Sequence, residues 1–184
     1  MHTVRSFSPR FLSLFLVPLS LILLAADTPS AGGPGQQPGE IKLEVVKYNQ
    51  LVEAIKAQRG KVVVVDVWST LCIPCMKEFP NLIQLQQRYG RNGLVCMSVT
   101  IDELQKQQAA LAFLQRQGAS IPNFLLDEDP AVWEEKWDVK SVPIVFVIGR
   151  DGQRAAKFNS DDPQHDFTYA DVEKLVQQLL PQNP

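Results

Sequence analysis

Cysteine and histidine are scarce in this sequence, and each scarcity excludes a class of protein. Three cysteines, Cys72, Cys75 and Cys96, are too few to staple a small secreted scaffold. The two histidines, His2 and His165, lie far from the closely spaced Cys72 and Cys75. A structural zinc site needs four ligands, usually two such pairs or a pair with nearby histidines, so no metal is expected here. No run of lysine and arginine occurs anywhere, and the formal net charge is -2, which argues against nucleic acid as a partner. There is no internal repeat, and no acidic residue precedes Asp27.

That missing acid belongs to a pattern. Arg5 and Arg10 lead into a nearly unbroken apolar stretch from Phe11 to Ala26, ending in small residues. A basic lead, a short apolar run and a small-residue end are the parts of a secretory signal. The run falls short of the roughly 20 residues that span a bilayer comfortably, and Pro18 interrupts it. Residues 1–26 are therefore expected to be a signal peptide, with an uncleaved N-terminal anchor as the alternative. No cysteine near Ala25 and Ala26 could accept a lipid thioether. Residues 27–40, rich in Pro, Gly, Ala and Gln, read as a flexible linker, because they hold too little apolar surface to offset the entropy of ordering. Residues 41–184 suffice for one domain with one core.

Within that domain the periodicity alternates. Leu51, Val52 and Ile55 predict a helix over 48–57. Lys61 to Trp68 is a β-branched run suited to a strand buried on both faces. Met76 to Tyr89 reads as a helix, bent at Pro80 where a ring replaces an N–H. Leu94 to Thr100 is a second strand, and Thr100-Ile-Asp-Glu103 has the form of a capping box opening a helix toward Gly118. Phe124 to Leu126 is a short apolar run, and Asp129-Pro130 caps a brief helix through Trp137. Pro143 to Ile148 and residues 154–158 flank an Asp151-Gly152 turn, and Thr168-Tyr-Ala-Asp171 opens a final helix. The order implies an α/β fold: a central mixed β-sheet with helices on both faces.

The chemistry concentrates at Cys72-Ile-Pro-Cys75. Disulfide exchange needs an accessible thiolate and a second thiol close enough to resolve the mixed disulfide. A strand that delivers Cys72 to a helix start places it where unpaired N–H groups and the helix dipole lower a thiol pKa. Positions three apart share a helix face, which brings Cys75 alongside, and Pro74 suits the first helical turn. Asp66 sits among valines, where a charged carboxylate is costly, so its pKa should rise toward that of a proton-relay acid. Glu78 follows Cys75 by three residues, one helical turn on along the same side. Cys96, inside an apolar strand, reads as a buried structural thiol.

The segment Val65-Asp-Val-Trp-Ser-Thr-Leu-Cys-Ile-Pro-Cys75 resembles the active site of thioredoxins, and Met76-Lys-Glu-Phe-Pro80 resembles the bacterial TlpA/ResA-like extracytoplasmic branch. The region from Ile101 to Trp137 is similar to that branch's central insertion, and Ser141-Val-Pro143 to the family's cis-proline loop. The resemblance implies a thioredoxin fold with a redox disulfide between Cys72 and Cys75. In it Cys72 attacks, Cys75 resolves, Asp66 assists proton transfer and Glu78 tunes the cysteines. It further implies a cis Pro143 beside the disulfide. Val142 would pair with a client backbone, and Trp68, Ile73 and Pro74 would complete the client-facing surface. Leu71 departs from the aromatic residue usual before the first cysteine.

The expected activity is thiol–disulfide exchange with extracytoplasmic protein clients, as a reductase of the kind that serves cytochrome c maturation. No cofactor is expected; a membrane thiol/disulfide donor would recycle the pair. The alternatives are an oxidant or isomerase on the same fold, and a metal chaperone or adaptor. A copper carrier of this fold resembles CxxxC with a distal histidine, and a peroxidase would need a peroxidatic motif; the sequence offers neither.

Overall fold

The structure is a computed structural model, and it describes residues 2, 40–159 and 167–181. The chain divides into two units, Met1–Gly35 and Gln36–Pro184, and the described strands and helices all lie in the second. The expected leader, nearly all of the linker and His165 lie outside the described residues.

Six strands form one sheet in the order β1-β4-β3-β2-β5-β6. They are β1 (Glu44–Val46), β2 (Val62–Trp68), β3 (Leu94–Thr100), β4 (Asn123–Leu126), β5 (Ile144–Ile148) and β6 (Arg154–Asn159). β1 to β4 are mutually parallel, whereas β5 runs antiparallel to β2 and pairs with β6 as a hairpin. The helices are α1 (Tyr48–Lys56), α2 (Ile73–Tyr89), α3 (Gln107–Arg116), α4 (Pro130–Trp137) and α5 (Tyr169–Leu179). The mixed α/β arrangement expected from the alternation is present.

β2 is the reason for two cores. All seven of its residues are buried, and successive side chains point to opposite faces. Val62, Val64 and Trp68 join Phe79, Leu82 and Leu114 on the face covered by α2, α3 and α5. Val63, Val65 and Val67 join Leu51, Trp133 and Trp137 on the face covered by α1 and α4. A strand with a polar face could not occupy this position, which is why every residue of β2 except Asp66 is apolar.

One strand escaped the sequence reading, and two expectations at element boundaries change. β1 carries only three residues and offered no period to read; its parallel pairing with β4 fixes it. α2 begins at Ile73 rather than Met76, so the CxxC occupies its first turn, and it runs on through Pro80 to Tyr89. The capping box at Thr100 does not form. Thr100 ends β3, a short 3-10 turn covers Leu104–Lys106, and α3 starts at Gln107. The Thr100 hydroxyl donates instead to Asp102 Oδ2 at 2.7 Å, and Asp102 turns toward the loop after β2.

Two other caps form as read. Asp129 accepts from Ala131 N at 2.9 Å to open α4. Thr168 and Asp171 form the capping box of α5, with Thr168 N donating to Asp171 Oδ2 at 2.9 Å. Val172 and Val176 are buried, with Leu175 and Leu179 packed beside them. Glu173 accepts from Arg88 Nη1 and from the Tyr89 hydroxyl, both at 2.6 Å, tying α5 to the end of α2. Among the described residues no helix is long and apolar enough to cross a membrane.

Candidate active site

β2 ends at Trp68, and the chain then makes a tight turn in which Cys72 N donates to Ser69 O at 3.1 Å. That turn sets Cys72 as the N-cap of α2, with Cys75 N donating to Cys72 Sγ at 3.2 Å. Pro74 falls in the first helical turn, where its missing N–H leaves no backbone bond broken. Cys72 and Cys75 are joined by a disulfide, with their Cα atoms 5.3 Å apart. In the dithiol state the same geometry favours a thiolate at Cys72, because the helix dipole and the Cys75 N–H both stabilise negative charge there. Cys72 is 8% exposed and Cys75 2%, so the first sulfur is the one nearer solvent.

Behind the disulfide lies a cavity of about 340 Å3 lined by Asp66, Cys75, Glu78, Pro143 and Tyr169, among others. The Asp66 carboxyl is only 3% exposed, and its pKa is pushed up to about 7. Burial is the main cause; the Tyr169 hydrogen bond opposes it, and the negative charge of Glu78 adds to it. The Tyr169 hydroxyl donates to Asp66 Oδ2. Tyr169 itself ionises only well above its ordinary range, because it is buried beside that carboxyl.

Sequence reasoning missed Tyr169. It stands 103 positions from Asp66, and only the capping box just before it hinted that its backbone would be fixed. Glu78 lines the cavity one helical turn after Cys75 but is exposed, and it accepts from Asn81 Nδ2 at 2.7 Å.

The Val142–Pro143 peptide bond is cis, and Pro143 lines the cavity with Cys75. Val142 and Pro143 are half-buried, while Ile73, Pro74 and Leu71 are exposed, Leu71 at 75%. Trp68 departs from the client-facing surface expected of it. It is fully buried, packed against Phe79 and Phe113 at centroid distances of 5.5 and 4.8 Å. Its position at the end of a two-faced strand turns the indole into the core, and its Nε1 has no hydrogen-bond partner among the described residues. Trp68 therefore supports the site from beneath. Cys96 is the buried thiol anticipated, its pKa raised by burial and by the nearby Asp66. Among the described residues no group of three or more His, Cys, Asp or Glu side chains is arranged to hold a metal ion.

This site can be set beside known proteins. The chain is 30% identical over 95 residues to the thiol-disulfide oxidoreductase ResA of Bacillus subtilis (strain 168), covering 52% of this chain and 51% of that protein. It is 30% identical over 120 residues to the thiol:disulfide interchange protein HelX of Rhodobacter capsulatus, covering 65% of this chain and 64% of that protein. The chain thus spans about half the length of ResA and under two thirds of HelX. In fold it is similar to a thiol:disulfide interchange protein of the thioredoxin family from Chlorobium tepidum TLS. The TM-score is 0.54 at 19% identity, covering 67% of this chain and 83% of that one. Residues 35–179 match the Redoxin family, a stretch that contains both cysteines of the disulfide, the buried acid and the cis-proline loop. The resemblance to ResA-like proteins of the thioredoxin superfamily holds, and the chain belongs to the Redoxin family.

Proposed function

We propose that this chain is a thiol–disulfide oxidoreductase that reduces disulfides of protein clients outside the cytoplasm. One observation carries the reading: a reducible disulfide sits at a helix N-terminus with its inner cysteine sharing a cavity with a buried acid of pKa about 7. The names of the similar proteins ResA and HelX point to the same chemistry.

In the dithiol state the Cys72 thiolate attacks one sulfur of a client disulfide. A Cys72–client mixed disulfide forms, and the other client sulfur leaves as a thiolate that takes a proton from water. Asp66 then accepts the Cys75 proton, directly or through the cavity, and the Cys75 thiolate attacks Cys72 Sγ. The client's second sulfur departs as a thiolate that takes up the proton held by Asp66; the client disulfide has gained two electrons, and Cys72 and Cys75 are left oxidised to a disulfide. A carboxyl poised near neutrality suits this step, because it accepts and returns a proton with little bias. Glu78, at the cavity, biases Asp66 electrostatically. Pro143 and the half-buried Val142 offer the client chain a place beside the disulfide, with Ile73 and Pro74 on the exposed side.

The extracytoplasmic setting rests on the sequence of residues 1–26, read as a leader, and on residues 27–40 as a linker ahead of the domain at 41–184. A membrane thiol/disulfide donor would then return electrons to the pair. The decisive measurement is insulin reduction together with a reduction potential. Wild type should reduce insulin, Cys72→Ser should not, and the potential should lie near thioredoxin's, about -270 mV. A value near -120 mV would make the chain an oxidant instead.

A further inference from the structure

The turn that presents Cys72 is not held by its own strand alone. Asp102, just beyond β3, is 5% exposed and uses both carboxylate oxygens on this turn. Thr70 N donates to Oδ2 and the Thr70 hydroxyl to Oδ1, each at 2.8 Å. The Thr100 hydroxyl donates to Oδ2 at 2.7 Å, and Asp102 N donates back to Thr100 Oγ1 at 3.2 Å. Thr70 is the second residue of the turn that closes with Cys72 N on Ser69 O. Trp68 O accepts from Ile101 N at 3.0 Å, which places the last rung between β2 and β3 immediately before this clamp. A carboxylate buried this deeply and aimed at a loop is costly unless every bond it makes is kept.

We infer that Asp102 is a positioning residue for the attacking cysteine, acting through Thr70 to hold Cys72 at the N-terminus of α2. The inference rests on the assignment of Cys72 as the attacking thiol. Two opposite effects separate positioning from charge. If Asp102 holds the turn, losing either partner lets Cys72 drift from the helix N-terminus, and its thiolate becomes less stable. If Asp102 acted only as a nearby negative charge, its removal would make the thiolate more stable and Thr70 would be irrelevant. The other groups that could perturb the titration, Asp66, Glu78 and Tyr169, line the cavity on the Cys75 side and stay in place in each variant.

The test is the pH profile of Cys72 alkylation by iodoacetamide in the reduced protein, with the labelled peptide identified by mass spectrometry. Asp102→Ala should move the profile up by about one pH unit, about tenfold less thiolate below both pKa values, and Thr70→Val, which loses the bond to Oδ1 but keeps the Thr70 N–H bond to Oδ2, should move it up by less. The double variant should move it no further than Asp102→Ala alone, and Thr70→Ser, which keeps the hydroxyl, should match wild type. Unchanged profiles, additive shifts, or a downward shift in Asp102→Ala with none in Thr70→Val would each overturn the inference. Thr70→Val carries the test alone if Asp102→Ala does not fold. A wild type whose Cys72 resists alkylation would refute the attacking-thiol assignment itself, a separate failure from wild type and variants reacting alike.

Discussion

Replacing Asp66 with asparagine should make the oxidised protein more stable at neutral and alkaline pH, and the size of the gain follows from where the carboxyl sits. Asp66 is 3% exposed, and its pKa is pushed up to about 7 from a starting value of 3.8. Between those two values the folded state holds a proton that the unfolded state has released. Stability must therefore fall as pH rises through this window, by about 1.4 kcal/mol per pH unit. The stabilising neutral form is fully present below pH 4 and lost once the pH passes about 7. Across the window this one group costs roughly 4 kcal/mol, a large share of a typical domain's 5–15 kcal/mol.

Asparagine keeps the shape and the acceptor for the Tyr169 hydroxyl but cannot ionise. The oxidised form is the right one to measure, because Cys72 and Cys75 are then locked in their disulfide and Cys96 ionises only far above this range. Urea unfolding of wild type and Asp66→Asn at pH 5, 6, 7 and 8 gives the difference directly, and every other titrating group cancels to first order. The difference should widen in favour of the variant up to about pH 7 and then level off. Parallel curves would mean that Asp66 is not perturbed, and the proton-relay role assigned to it would lose its basis.

Other outcomes follow from the same geometry. Tyr169→Phe removes the hydrogen bond that opposes the rise at Asp66, so the decline should extend to higher pH and stability at pH 8 should drop by about 1–3 kcal/mol, read by the same unfolding series. Glu78→Gln removes a charge that raises Asp66, so the plateau should begin at lower pH. Leu71→Ser and Ile73→Ser expose less apolar surface beside the disulfide; KM for a protein disulfide should rise several-fold while reaction with a small disulfide stays unchanged. Cys96 should resist iodoacetamide in the folded, reduced protein and react only in denaturant, as mass spectrometry of the labelled peptides would report.

The parts of this architecture that were legible in the sequence are those governed by local rules. β2 was readable because a seven-residue strand buried on both faces must be apolar nearly throughout, and Asp66 alone interrupts it. The caps at Asp129 and Thr168 were readable because each satisfies its own helix. The same rule misled at Thr100, where an identical local pattern serves a distant partner: Asp102 is taken by Thr70, 32 positions away. Trp68 misled for a related reason. The family resemblance implied a client-facing role, but strand alternation sends it into the core with Phe79 and Phe113. Tyr169 was invisible because nothing local marks a tyrosine whose hydroxyl closes on a carboxyl 103 residues earlier.

These long-range pairs explain why the two sulfurs of one disulfide can have different duties. Cys75 faces a cavity whose walls come from β2, α2, the cis-proline loop and the start of α5, and the buried Asp66 carboxyl lies there with it. Cys72 is absent from that lining; it stands between exposed Leu71 and Ile73 in the chain, after a turn whose Thr70 bonds to Asp102 beyond β3. A bare CxxC on a helix would give two thiols distinguished only by the dipole, with the first favoured. Here a buried acid is added on one side and a buried carboxylate clamp on the other. Under the proposed mechanism, proton transfer would be confined to the inner sulfur, while the outer one would be held for attack. Perturbing Asp66 should accordingly change resolution and leave Cys72 alkylation nearly untouched, and perturbing Thr70 should do the reverse; a variant at either position that altered both equally would show that the two sides are not independent.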